Sequence, residues 1–143
     1  MALLMDHADW VVERLAALPG HIPFVDGALV PLYGIEHRIR HVGGRGGVRA
    51  ICRQILVGGE AEFLARRVAD FLRAEARKRM SALVRDKAAL ADVVPRRVTV
   101  KDTHSRWGSC AASRSLAFSW RLVMAPRYVQ DYVAAHGSIL CNA

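Results

Sequence analysis

His136 has the setting in this 143-residue chain that points most directly to chemistry. Val129, Tyr132, Val133 and His136 recur at intervals of three and four, so they fall along one face of a helix begun by Pro126. An imidazole at the end of such a stripe suits zinc when a glutamate follows it and a second histidine stands four places on. One helical turn puts both rings on the same face, and the carboxylate is aimed at the metal-bound water. The residues present are His136-Gly137-Ser138-Ile139-Leu140. Gly137 stands where the base would be, and Leu140 where the second imidazole would be.

A single ligand does not hold a catalytic zinc, which takes three protein ligands and one open position. The other histidines are His7, His21, His37, His41 and His104. His37 and His41 lie on a strand pattern, where four residues span about 13 Å at about 3.3 Å each. That separation keeps them from sharing an ion. A substitute site built from His136, His104 and a cysteine is the less favoured reading. Cys52, Cys110 and Cys141 form no CxxC pair, and an odd number cannot all pair within one chain, which suits a reducing cytoplasm. No His–Asp constellation surrounds Cys110, so it reads as a packed thiol. The glycine-rich Gly43–Gly47 could resemble a phosphate cradle, but a strand pattern follows it rather than a helix, so a hairpin loop is expected.

The elements that must position His136 are legible as changes of period. Two short apolar runs flank Asp26-Gly27, a hairpin signal. Residues 35–41 and 48–57 alternate apolar and polar and read as strands, giving an antiparallel meander of three or four strands. From Leu64 the period becomes four: Leu64, Val68, Leu72, Ala76, Met80, Val84 and Ala88 form the stripe of one long amphipathic helix over about residues 60–91. Its outer face carries Arg66, Arg67, Arg73, Arg77, Lys78, Arg79, Arg85 and Lys87. Residues 96–102 and 116–123 alternate again, with Gly108 permitting a bend between them. The fold expected is α+β in one domain over 1–143: an antiparallel-rich sheet packed by one long helix, then the start of an active-site helix of about three turns.

The segment from Val98 to His136 resembles the YgjP-like family of metal-dependent hydrolases, small zinc metallopeptidases of the gluzincin type and more distantly similar to SprT-like proteases. The resemblance rests on Ser105-Arg106-Trp107-Gly108-Ser109-Cys110, Ser119-Trp120-Arg121-Leu122, Ala125-Pro126, Asp131-Tyr132-Val133 and His136, in the family's order and spacing. The meander and long helix are similar to the family's N-terminal half. The resemblance implies a zinc cofactor, a protein or peptide substrate, and His136 as one ligand. In its register Gly137 takes the glutamate position and Leu140 the second histidine position. Residues 137–143, "GSILCNA", have no family counterpart. A base lost from a GAG codon followed by G would turn glutamate into glycine at that point. The expectation is a chain inactive as a peptidase that does not bind zinc stoichiometrically. The rest of the motif reads as scaffold: Trp107 and Trp120 packed beneath the last helix, and Arg106 paired with Asp102 or Asp131.

Composition supplies the alternative. The net charge is +8, carried mainly by arginine, and a basic surface attracts polyanions without sequence preference. A non-catalytic basic module that weakly binds nucleic acid, or a protein partner, is the competing function. Hydrophobic residues make up 52% of the chain, yet no apolar run approaches the about 20 residues of a membrane span. No basic region precedes the N-terminal apolar stretch, and Asp6, His7 and Asp9 interrupt it, so a secretory leader is not expected.

Overall fold

A computed structural model describes residues 22–91, 96–102 and 107–142, with side chains described as far as residue 90 in the first helix and residue 136 in the last. Four strands come first: β1 (Leu29–Leu32), β2 (Ile35–His41), β3 (Val48–Ile51) and β4 (Gln54–Val57). A 3₁₀ turn at Ala61–Phe63 leads into helix α1 (Leu64–Ala91), followed by β5 (Arg97–Lys101), β6 (Gly108–Cys110) and β7 (Ser115–Ser119). A second 3₁₀ turn, Trp120–Met124, precedes helix α2 (Arg127–Asn142). The class is the expected α+β, with a long helix against sheets that are mostly antiparallel.

The first sheet runs β1-β2-β4-β3 and the second β5-β7-β6. Two pairings are parallel, β2 with β4 and β5 with β7. The first of these corrects the expectation of a hairpin across Gly43–Gly47. The continuous strand expected over 48–57 is two strands, because Cys52 and Arg53 both take positive φ (50° and 58°) and close a tight hairpin between β3 and β4. β4 then returns between β3 and β2, and the glycine loop becomes the first leg of a crossover. Asp26-Gly27 forms a turn, but the β1–β2 hairpin is closed by Tyr33-Gly34, again with both φ positive.

Gly34 has a second duty. A Cβ there would lie 2.9 Å from Pro126 Cγ. The hairpin tip therefore sits directly on the entry to α2, fixed by Tyr33 N–H to Val123 O at 2.8 Å and Gly34 N–H to Met124 O at 3.0 Å. Residues 120–123, expected to continue a strand, turn instead because the Ser119 hydroxyl accepts the Arg121 N–H. Gly108 is not a bend but a strand residue: a Cβ would meet the Phe118 ring at 3.1 Å and Val133 at 3.4 Å.

α1 spans 28 residues, about 42 Å at about 1.5 Å per residue, and serves two cores. Its first half packs Leu64, Val68, Leu72 and Ala76 against Val30, Leu32, Ile39, Ile55 and Val57 of the first sheet. Its second half packs Met80, Leu83 and Val84 against Leu116 and Phe118 of β7 and Val129, Val133 and Ala134 of α2. α2 runs 16 residues rather than three turns. Gly137 does not end the helix, since one glycine in a helix interior costs only about 1 kcal/mol.

Candidate metal centre

His136 lies near the middle of α2 with an exposed side chain. Its ring stacks on Tyr132, with centroids 6.1 Å apart and planes 5° from parallel. Tyr132 is half-buried against the second core, so it holds one face of the imidazole and leaves the edge to solvent. Helical backbone continues through 137 and 140, so position 140 is one turn along from His136. The donor set along that turn is one imidazole, since Gly137 offers no side chain and Leu140 no donor. No group of three His, Cys, Asp or Glu able to hold a metal is gathered among the described residues. His37 and His41 sit on β2 of the other sheet, their ring nitrogens 2.7 Å from the Ile35 and Gly59 carbonyls respectively. His104 and Arg106 lie outside the described residues. Among the described residues the donors at this turn fall short of the three that a catalytic zinc takes.

The surrounding motif residues divide between the two cores. Trp107 packs half-buried against the second core, and its carbonyl accepts the Ser119 N–H at 3.1 Å. Ser109 pairs with Ala117 across β6 and β7. Cys110 is disulfide-bonded, correcting the packed-thiol reading. Cys52 is an exposed free thiol. Trp120 does not lie beneath α2 as expected. It joins the first core, edge-on to Phe24 with centroids 6.4 Å apart.

Asp102 collects the charges. Trp120 Nε1 donates to it at 3.0 Å, the Arg121 guanidinium bonds the same oxygen, and Arg73 approaches at 3.8 Å. Arg121 also covers the Trp120 ring at 4.8 Å. Asp131, the other carboxylate expected to pair with Arg106, pairs with Lys87 at 3.0 Å. Asp102, Arg73 and Arg121 rim a cavity of about 430 Å³ whose apolar wall includes Ile22, Phe24, Trp120 and Met124.

The Trp120 and Arg121 hydrogen bonds hold the Asp102 carboxyl below its ordinary range, outweighing the desolvation that opposes them. A depressed carboxylate stabilises the fold above its unfolded value of about 4, and the contribution is lost as pH falls through the folded value. Asp102→Asn should therefore be less stable than the parent near neutrality, with the difference shrinking below about pH 4. Urea midpoints of both proteins between about pH 3 and 7 test this. A difference constant across that range would show that the carboxylate charge contributes nothing.

Sequence reasoning missed Gln130. It is fully buried, and its amide donates to the carbonyls of Leu122 (3.0 Å), Val123 (3.3 Å) and Ala125 (3.1 Å). Its oxygen accepts Arg79 Nε at 3.0 Å. This one side chain ties α1, the 3₁₀ turn and the start of α2 together. The available signal was a polar residue one step from Val129 on a face where Val133 and Ala134 follow.

A family model described as YgjP-like, metallopeptidase domain, matches residues 1–137. The matched span takes in both sheets, all of α1, and α2 through His136 and Gly137. No curated protein and no solved structure matches the chain.

Proposed function

The chain belongs to the YgjP-like metallopeptidase family, and from that premise we propose that it keeps the family's metal-dependent hydrolase scaffold without the hydrolytic chemistry. The family implies a metal, with zinc the expected ion, and a protein or peptide substrate. One observation carries the proposal: His136 is followed by Gly137 and, one turn on, by Leu140. A mononuclear peptidase centre must activate water, accept its proton and polarise the carbonyl. This helix turn brings one nitrogen ligand to that work and no carboxylate.

The test measures zinc content after dialysis and peptidase turnover with and without a chelator. Less than stoichiometric zinc and no chelator-sensitive turnover are expected. Gly137→Glu with Leu140→His should raise zinc affinity by completing a two-imidazole face, with turnover still wanting a third ligand. One-to-one zinc with chelator-sensitive turnover in the unaltered protein would overturn the reading.

A second reading, a basic module for nucleic acid or a protein partner, draws support from the net charge of +8 and from the many arginines that stay exposed on strands and helix. No helix among the described residues is long and apolar enough to cross a membrane. A cytoplasmic location rests on the exposed free thiol of Cys52. The disulfide at Cys110 weighs against it.

A further inference from the structure

Among the described residues, the first sheet has one face on the core and one face open. Alternation along the strands settles which side chains lie on each. Val30, Ile39, Ile55 and Val57 are fully buried and face α1. Their neighbours therefore point the other way: Leu29 and Pro31 on β1, Glu36, Arg38 and Arg40 on β2, Arg49 and Ile51 on β3, Gln54 and Leu56 on β4. Both helices pack elsewhere. Arg38, Arg40 and Arg49 are exposed, and so are the large apolar Leu29 and Ile51.

Strand register arranges these side chains in rows. Arg40, Leu56 and Arg49 stand in one row across β2, β4 and β3. Leu29, Arg38, Gln54 and Ile51 form the next row. Leu56 stands between two guanidinium groups in the first row, Leu29 and Ile51 flank the second, and Arg38 and Arg40 follow one another along β2. Arg38 and Arg40 are about 7 Å apart along their strand, and Arg40 and Arg49 about 10 Å apart across two strand spacings. Glu36 is the one acid among these outward side chains. The loop beyond the first row adds Arg45, which with Arg49, Leu56 and the loop glycines lines a shallow cavity of about 260 Å³. Arg38 directs one N–H to the Gly27 carbonyl at 2.8 Å, which fixes its plane and leaves other donors outward.

We propose that this open face binds the backbone of a single-stranded polynucleotide. The proposal rests on the second reading above and gives it a place. Charge selects a polyanion, and arginine's planar fork suits phosphate. Shape selects a single strand. A duplex major groove, about 12 Å wide, admits a helix or a two-stranded ribbon, and four strands about 4.8 Å apart are wider than that. Laid across the rows, one strand sets phosphates on arginines while base faces rest on Leu29, Ile51 and Leu56. No aromatic side chain among the described residues lies on the face, so strong base stacking is not expected. Binding should be sequence-tolerant, micromolar and steeply salt-dependent.

The test is fluorescence anisotropy with a labelled oligothymidylate of about 20 nucleotides, from about 50 to 200 mM salt. The comparison is between Arg38→Gln/Arg40→Gln/Arg49→Gln and a control of equal charge loss on α1, Arg66→Gln/Arg77→Gln/Arg85→Gln, all at exposed positions. Circular dichroism confirms that each folds. The sheet variant should bind at least about tenfold more weakly and lower the salt slope by about 2, at about 0.7 for each phosphate no longer neutralised. The α1 control should weaken binding by less than about threefold if binding is local to the sheet. No binding by the parent at about 50 mM salt would overturn the nucleic-acid reading as a whole. Equal weakening in the two variants would overturn only the placement on the sheet. Tighter binding to a duplex of the same length would overturn the choice of a single strand.

Discussion

Replacing Gln130 with leucine should destabilise the protein by about 3 kcal/mol, because several buried groups lose their partner at once. Leucine has similar bulk, so the loss is one of hydrogen bonds rather than volume. The carbonyls of Leu122, Val123 and Ala125 lose the amide donor, and Arg79 Nε loses its acceptor. A buried unsatisfied group costs about 1–3 kcal/mol, more when charged. For a chain of this size the melting temperature should fall by roughly 10 °C. The effect should reach the candidate centre too, since α2 enters through Pro126 beside this knot. Urea denaturation checks the number, and a midpoint within error of the parent would show that the buried amide contributes nothing net.

The second large effect is expected at Phe118, the largest side chain the fold buries completely among the described residues. Phe118→Ala should cost about 3–5 kcal/mol, as deletion of a core aromatic does. The more telling experiment pairs it with Gly108. Gly108→Ala alone drives a methyl group to 3.1 Å from the Phe118 ring and should cost about 1–3 kcal/mol through overpacking. In the Phe118→Ala background that methyl keeps only its contact with Val133 at 3.4 Å, and the penalty should vanish or reverse. The double-mutant cycle would then give a coupling of at least about 1 kcal/mol. Additive costs would show that glycine is required at 108 for some reason other than the ring opposite it.

The helices were legible because their signals are local. Leu64 to Ala88 at intervals of four announced α1 to within a few residues, and Pro126 marked the entry to α2. Strand order was not legible. Of two turns that decide it, one is built by left-handed Cys52 and Arg53 and the other begins with left-handed Tyr33 before Gly34, and Tyr33, Cys52 and Arg53 carry no turn signature. The glycines that do carry one, at 43–47, lie in the crossover instead. The same limit hid the partners of Asp102. A carboxylate in a sequence does not announce whether Arg106, Arg121 or Arg73 will reach it, because that depends on how Ser119 turns the chain into the 3₁₀ segment. His136 and the residues at 137 and 140 were readable because helical spacing alone relates them. The alternation on β2 was also readable, but the company Arg38 and Arg40 keep with Arg49 required the parallel pairing of β2 with β4.

The division of α1 between two cores bears on how the molecule holds together as a thermodynamic system. One half of the rod is glued to the first sheet, and the other half to the second sheet and α2. Each half can in principle open at a free energy set by its own packing, so cooperative unfolding of the whole depends on what crosses the boundary. The 3₁₀ turn is such a crossing, with Trp120, Val123 and Met124 in the first core and Leu122 in the second, and so is the seat of Gly34 against Pro126 at the entry to α2. They couple an open, arginine-bearing sheet to the helix that carries His136. If these ties are strong the protein melts as one unit. If they are cut it becomes two foldons on a common spine, and the sheet can outlast the loss of the helix beside it.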